Sequence, residues 1–189
     1  MQDVNIKVRK GEIVGLAGLM GAGRTELALS IFGNTPKYKI TSGEVLVDGK
    51  TKKFKHPQDA MNAGIAYVTE DRKGNGLVLI QDIKYNITIG NLAKITDGIV
   101  INENEEINIA NQYQKSIGIK APSVKQLVGN LSGGNQQKVS LAKWLFVGPK
   151  VLILDEPTRG IDVGAKFEIY SLMNRLVEEG MSIIMISSE

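Results

Sequence analysis

The stretch GLMGAGRTEL, residues 18–27, has the residue types and spacing of a phosphate-binding loop. Glycines at 18, 21 and 23 allow backbone N–H groups to converge on a phosphate, and a following helix would place its positive end behind them. Thr25 would offer its hydroxyl to Mg²⁺. The pattern calls for lysine before the threonine, but this chain has Arg24. The stretch predicts nucleotide binding with an altered cation, the alternative being a tight strand-to-helix turn without a ligand.

Two adjacent carboxylates follow a second apolar run. VLILDEP, residues 151–157, predicts a buried strand that delivers Asp155 and Glu156 to the carboxyl edge of a sheet, where α/β proteins bind ligands. Asp155 suits a hard cation such as Mg²⁺, and Glu156 suits a base that orients attacking water. A buried strand with a polar turn would explain the apolar residues, but not two acids before a proline.

The stretch LSGGNQQK, residues 131–138, is a second candidate for anion binding. A serine followed by two glycines at the start of a helix presents free backbone N–H groups. One nucleotide hardly needs two such sites from one chain, so the second would serve a nucleotide held by a partner. The alternative is a helix that is simply capped by Ser132.

Hydrophobic periodicity and turn residues predict the elements that position these groups. DG within residues 44–54 predicts a hairpin. The predicted strands are 4–8, 12–19, 65–68, 151–154 and 182–186, and the predicted helices are 25–33, 57–64, 102–117, 136–146 and 163–179.

Continuous apolar strands separated by helices predict an α/β fold with a mainly parallel sheet covered on both faces. Residues 77–130 are rich in Asn, Gln and Ile and read as a mostly helical insert. We therefore expect one domain, with a core formed by residues 1–76 and 131–189.

Composition sets limits on the function. The 189 residues contain no cysteine, which excludes disulfides, thiol catalysis and cysteine-ligated metals. The net charge of +3 is too small to argue for nucleic acid, and the basic stretch at 49–57 fits a solvated hairpin better than an RNA contact. The sequence shows no secretory signal or long apolar span, and its two ends look trimmed. We expect a soluble cytoplasmic domain from a longer protein.

Taken together, GLMGAGRT, LSGGNQQ, VLILDEP and RGIDVGAK resemble an ABC-transporter nucleotide-binding domain along essentially the whole chain. EDRKGNGLV (70–78) and DEPTRGIDVGAKFEIY (155–170) resemble the second ATP-binding half of fused monosaccharide importers of the ribose and xylose type. The resemblance implies a P-loop NTPase core, a small antiparallel β subdomain on the N-terminal side, and a helical subdomain at 77–130 that faces the permease. It also implies ATP and Mg²⁺ as cofactors.

In that family two domains form a head-to-tail sandwich, in which each nucleotide lies between one phosphate loop and the other domain's signature. The resemblance implies four groups of site residues here. The nucleotide would contact Gly18, Gly21, Ala22, Gly23, Arg24, Thr25 and Glu26. The signature would be Leu131, Ser132, Gly133, Gly134, Asn135 and Gln136, with Asp162 in the loop that crosses to the partner site. Thr25, Glu70 and Asp155 would hold Mg²⁺, and Glu156 and Ser188 would occupy the catalytic positions.

Three departures from the family pattern concern catalysis. Arg24 replaces lysine, Glu70 replaces the usual glutamine, and Ser188 stands where the switch histidine is expected. Losing a positioned catalytic group typically costs roughly 10² to 10⁴ in rate. We expect a degenerate phosphate-loop site whose isolated domain hydrolyses ATP slowly or not at all. No Phe, Tyr or Trp precedes Gly18, so no adenine-stacking residue is identified.

The resemblance also implies partners: the other ATP-binding half, the membrane permease, and indirectly a sugar-binding protein, but no nucleic acid. The domain would lie on the cytoplasmic face of the plasma membrane. One alternative is a catalytically silent regulatory ABC domain. Another is an ABC ATPase of nucleic acids or ribosomes, although the insert of roughly fifty residues has no sustained heptads. An unrelated P-loop kinase would not explain LSGGNQQ.

Overall fold

The computed structural model describes residues 3–19, 21–33 and 37–188. Its elements follow in chain order: β1 Ile13–Ala17, α1 Arg24–Ile31, β2 Val45–Val47, β3 Lys50–Lys52, α2 Pro57–Asn62, β4 Ile65–Val68, α3 Ile83–Thr88, β5 Thr96–Asp97, β6 Val100–Ile101, α4 Glu103–Ile117, α5 Gly133–Val147, β7 Val151–Asp155, α6 Val163–Glu178 and β8 Ser182–Ser187. A π-helical turn spans Arg72–Gly76, and short 3-10 helices span Ile89–Lys94 and Val128–Asn130.

The chain divides into two compact units. Unit 1 comprises Met1–Tyr67, Pro149–Pro157 and Arg175–Glu189, and unit 2 comprises Val68–Gly148 and Thr158–Asn174. The predicted helical subdomain at 77–130 falls within unit 2. Unit 2 also includes residues 131–148 and 158–174. The division into a core of 1–76 and 131–189 and a subdomain at 77–130 stays a prediction.

Unit 1 is built on a sheet whose described strands run in the order β1-β8-β7-β4. β8 is parallel to both neighbours, with Ile183 opposite Ile13 on one side and Leu152 on the other. Strands β4, β7 and β8 are buried along almost their whole length, whereas the edge strand β1 alternates between half-buried and exposed positions. This confirms the predicted α/β class and parallel sheet.

The predicted hairpin and the helix after it are also present in unit 1. β2 and β3 pair antiparallel, and the two turn residues Asp48 and Gly49 have φ of 51° and 73°. Two successive positive φ values match the tight turn that DG sequences favour. Pro57 opens α2, and the side chain of Asp59 accepts hydrogen bonds from the amides of Lys55 and His56.

In unit 2, helices α3, α4 and α5 pack on one another through polar as well as apolar groups. Lys84 on α3 lies 2.5 Å from the buried Glu106 of α4, which also accepts a hydrogen bond from Thr88. Asn86 is 1% exposed and bonds both the amide and the carbonyl of Val78. Between residues 83 and 117 the chain forms α3, a 3-10 helix, the short hairpin β5–β6 and α4. Helices thus make up most of this part of the insert, as predicted.

The predicted first strand, residues 4–8, is wrong. These residues have no regular secondary structure, although the alternation that suggested a strand reappears as half-burial of Ile6 and Val8. The backbone after them is held by side chains instead, because the Arg9 amide donates to Glu12 and the Arg9 carbonyl accepts from Ser182. Alternation alone does not supply a neighbouring strand with free backbone groups.

Candidate functional site

The phosphate loop lies between β1 and α1 in unit 1. Gly21 and Gly23 have φ of 81° and 85°, a region that glycine enters without strain. Gly23 is the N-cap of α1 and has no side chain that could accept hydrogen bonds from the amides of the first turn. These N–H groups therefore remain donors for a ligand. Ala22 and Glu26 are exposed and Thr25 is half-buried. The loop therefore has the backbone of an anion site.

The side chain of Arg24 is turned into unit 1. It donates to the carbonyls of Leu16 and Leu19 at 3.4 Å each, and to the carbonyl of Ser187. A Cβ at Gly18 would lie 3.7 Å from the Arg24 Cδ, so the arginine stem passes directly beneath the first glycine of the loop. The guanidinium of Arg24 is thus directed toward backbone carbonyls of unit 1.

Arg24 also contacts the candidate catalytic base. Its guanidinium lies 3.6 Å from the Glu156 carboxylate, and both side chains are only 9% exposed. Glu156 has φ of 46°, unusual for a residue with a Cβ, and its amide donates to the Ile186 carbonyl at 3.0 Å. The carboxylate that would orient water is held by the residue that replaces the loop lysine.

Asp155 is fully buried at the end of β7. Its carboxylate accepts a hydrogen bond from the Tyr67 hydroxyl at 2.8 Å. The sequence pattern predicts for Tyr67 only a place in a buried strand. A tyrosine inside an otherwise aliphatic strand could have signalled a polar partner, because buried Tyr hydroxyls usually have one.

The donor chemistry in unit 1 suits Mg²⁺. Thr25 and Asp155 supply hard oxygen atoms, and Mg²⁺ is usually bound through one or two such groups together with phosphates and water. Among the described residues no group of three His, Asp or Glu could hold a metal by itself. The third predicted ligand, Glu70, belongs to unit 2 and pairs with Arg159 at 2.8 Å. Its role at the metal stays a prediction.

Ser188 lies just past β8 and is exposed. The carbonyl of its neighbour Ser187 is the one that accepts a hydrogen bond from Arg24. The assignment of Ser188 to the switch position stays a prediction.

The predicted signature starts α5 in unit 2, and its six residues divide by exposure. Ser132, Gly133 and Asn135 are exposed or half-buried, whereas Leu131, Gly134 and Gln136 are buried. Gln136 donates to the carbonyls of Val128 and Leu131, which fixes the segment leading into the helix. Only three of the six residues can therefore meet a ligand with their side chains or exposed backbone.

Ser132 caps α5 and is itself held by Asn135. The Ser132 hydroxyl oxygen accepts from the Asn135 amide at 3.4 Å and from its side-chain nitrogen at 3.0 Å. The Asn135 side-chain oxygen accepts from the Lys120 amide at 2.8 Å. Because the serine oxygen is occupied as an acceptor, its O–H proton is available to donate to a ligand.

Gly134 faces its own chain. A Cβ at this position would lie 2.5 Å from the Cβ of Ala165 on α6. We expected Gly134 to face a partner's phosphate, and a carboxylate there to exclude it. The expectation for the side-chain direction is wrong, because a substituent at 134 would first displace α6.

Asp162 caps α6 in the same unit. Its side chain accepts from the Ala165 amide at 2.9 Å, and its carbonyl accepts from the Lys166 amide. Ser132 and Asp162 both line an open cavity of about 160 Å³. Two of the residues predicted to face a partner's nucleotide thus lie around one concavity.

A charge cluster that the sequence did not predict borders this cavity. Lys138 on α5 is buried and lies 2.6 Å from one Glu168 oxygen, and Lys120 lies 3.0 Å from the other. The hydrogen bonds from Lys138 and then Lys120 lower the pKa of Glu168. Glu168 follows Asp162 by six residues on α6, and nothing local in the sequence indicates its two lysine partners.

The phosphate loop, the adjacent carboxylates Asp155 and Glu156, and the signature capped by Ser132 define an ATP-binding cassette. Residues 1–159 match the family described as ABC transporter, and the chain belongs to that family. It is 56% identical over 189 residues to the xylose import ATP-binding protein of Thermoanaerobacter pseudethanolicus, and equally to the L-arabinose transport ATP-binding protein of Geobacillus stearothermophilus. It is 51% identical to a ribose import ATP-binding protein of Bacillus cereus.

The whole chain takes part in each of these matches but spans only 37% of the length of each relative. Assignment to the second of two ATP-binding halves is not shown by these matches. No helix within the described ranges is long and apolar enough to span a membrane.

Solved structures support the fold. An ATP-binding cassette of an ABC transporter superimposes with a TM-score of 0.82 at 22% identity, over 97% of this chain and 73% of that one. A dimeric cassette in a post-hydrolysis state with ADP and Pi superimposes with a TM-score of 0.79 at 22% identity, over 98% of this chain and 78% of that one.

Proposed function

We propose that this chain is the ATP-binding domain of a monosaccharide importer and couples the binding and hydrolysis of ATP to sugar uptake. The relatives named for xylose, arabinose and ribose import support this substrate class, at 51–56% identity. In this proposal the membrane permease and a sugar-binding protein are partners, and the domain sits peripherally on the cytoplasmic side of the membrane. Its assignment to the second half remains a prediction based on residues 70–78 and 155–170.

We also propose that the phosphate-loop site of this chain is degenerate, that is, poorly equipped to hydrolyse ATP. The observation that carries it is the position of the Arg24 guanidinium, which donates to the carbonyls of Leu16 and Leu19 and pairs with Glu156. A planar guanidinium differs from the compact ammonium that normally reaches the phosphates. To meet a phosphate, Arg24 must give up these bonds, and Glu156 would lose its buried counter-ion.

The signature is the second part of the proposal. Ser132 and the amide of Gly133 would bind the γ-phosphate of a nucleotide held by the other ATP-binding half. Exposure of Ser132 and the orientation imposed by Asn135 support this. Asp162 would lie beside the same nucleotide. Bound ATP with Mg²⁺ would supply the reacting phosphate, and this chain would contribute only donors that position it.

Arg24→Lys tests the degenerate site directly. Calorimetric titration with ATP and Mg²⁺ should show at least about tenfold tighter binding in the variant, because a freed lysine meets the phosphates as a point charge. The wild-type chain alone should show negligible hydrolysis, and the variant should remain slow because Ser188 and Glu70 are unchanged. Arg9→Lys, the same exchange at an exposed position of unit 1, is the control.

Two results would contradict this assignment. One is a wild-type affinity equal to that of Arg24→Lys. The other is turnover of either protein in the ordinary enzymatic range of about 1 to 10³ per second, which would make this half a working ATPase.

A further inference from the structure

The segment Glu70–Gly76 follows β4 and has a fixed shape. One oxygen of the Asp71 carboxylate accepts from the Gly74 amide at 2.9 Å, and the other accepts from the Asn75 side chain at 2.9 Å. These bonds close the π-helical turn Arg72–Gly76. The turn is therefore a defined platform from which the Arg72 side chain extends.

Arg72 binds two successive carbonyls of the loop before Asp162. Its Nη1 donates to the Arg159 carbonyl at 2.8 Å and its Nη2 to the Gly160 carbonyl at 3.2 Å. Its Nε is buried and makes no hydrogen bond within the described parts of the chain. Burial lowers the pKa of Arg72, so the group is held there at a desolvation cost that the two carbonyls offset.

The same guanidinium lies against the signature. A Cβ at Gly133 would be 3.1 Å from Nη2 of Arg72 and 3.2 Å from the Gly160 oxygen. Glycine at 133 therefore permits a close approach that a larger residue would obstruct. The start of α5, the loop at 159–160 and the turn at 72–76 meet around one side chain.

The far end of the turn is tied to α5. Lys143 donates to the Gly76 carbonyl, and burial lowers the pKa of Lys143 to about 8. At the near end, Glu70 pairs with the Arg159 side chain at 2.8 Å. Segment 70–76 is thus fastened both to α5 and to the loop that leads into Asp162.

We propose that Arg72 is a positioning residue that keeps the loop before Asp162 in register with Ser132 and Gly133. Both elements then face one nucleotide in a fixed geometry. Arg72 would act through the carbonyls of Arg159 and Gly160 and not by contacting a phosphate. This inference rests on the proposed donation of the signature to the other half, and it adds the residue that aligns the two contributing elements.

The test uses the full-length protein with its permease. Arg72→Ala should lower kcat for ATP about tenfold or more, because small misplacements of positioning groups cost rate. The Kd for ATP should change less than twofold, since the phosphate loops that hold the nucleotide are untouched. Lys73→Ala removes a neighbouring exposed charge from the same turn and should leave both values unchanged.

Two further measurements separate positioning from folding. Guanidinium ions at millimolar concentration should partly restore kcat in Arg72→Ala and not in Lys73→Ala. Hydrogen exchange of amides 159–164 and 132–135 should become faster in Arg72→Ala while the sheet of unit 1 stays protected. If Arg72→Ala does not fold, Arg72→Lys takes its place, because one ammonium cannot reach both carbonyls in the same geometry.

The inference is overturned if kcat is unchanged, if the Kd rises as much as kcat falls, or if exchange at 132–135 is unaffected. A different result would contradict the proposed function itself: the wild-type full-length protein would then show no ATP hydrolysis coupled to sugar uptake.

Discussion

At the scale of single residues, the substitution that matters most is Arg24. The sequence predicted an altered cation in the phosphate loop but not its contact with Glu156. The two residues are far apart along the chain, and only the approach of β7 to the loop brings them together. Because the pair is buried, removing one partner leaves an uncompensated charge at a cost of about 3–5 kcal/mol. Arg24→Ala would therefore confuse loss of function with loss of stability.

Glu168 provides a prediction about pH. Its pKa lies below the ordinary value of 4.5 because Lys138 and Lys120 donate to it, so its stabilising effect is complete above that value. The effect should disappear as the pH falls through the lowered pKa of the folded state. The Tm difference between wild type and Glu168→Gln, measured from pH 7 to pH 3, should shrink at the acidic end.

Glu178→Gln, at an exposed position of the same helix, is the control for the general effect of acid. A Tm difference for Glu168→Gln that stays constant over the whole range would show that Glu168 contributes through packing and not through its charge.

At the scale of elements, most helices and strands were predictable because strong periodicity and capping residues mark them locally. The packing unit to which α5 belongs was not predictable, since the burial of α5 depends on Lys138 and Gly134 meeting Glu168 and Ala165, which are distant in sequence. The strand predicted at 4–8 is absent because the alternating pattern was present but no neighbouring strand in the described part of the chain pairs with it. Exposure of the signature residues also required the structure.

Contact between α5 and α6 can be tested with Gly134→Ala. The added methyl would lie 2.5 Å from the Ala165 Cβ, and such overpacking typically costs about 1–3 kcal/mol. We expect the Tm to fall by about 2–4 °C for each kcal/mol. Ala165→Gly in the same molecule should recover part of the loss, which would show up as non-additivity in a double-mutant cycle.

Gly15→Ala is the matched control, because a Cβ there meets nothing within 4 Å. Equal destabilisation at positions 15 and 134, or no recovery in the double variant, would contradict close packing at Ala165.

At the scale of the whole molecule, the signature should act on a nucleotide bound elsewhere. Ser132→Asp and Ser132→Asn are similar in size and both can cap α5. In the full-length protein, the Asp variant should lose ATPase and transport about hundredfold relative to the Asn variant, because its carboxylate repels the phosphates. Both should share one Tm. Equal activities would mean that Ser132 does not face a phosphate.

The order of strands in the sheet has a consequence for how the protein is made. β8 lies between β1 and β7, so β1 cannot pair in the sheet until β8, which places Ile183 opposite Ile13, has been synthesised. During vectorial synthesis β1 and the phosphate loop leave the ribosome long before their central strand does. Unit 2, which carries α3, α4 and α5, ends at Asn174, so all of its residues leave the ribosome before β8 and it can fold while unit 1 is still open. The nascent chain would therefore assemble its signature helix before it can bind ATP in its own loop.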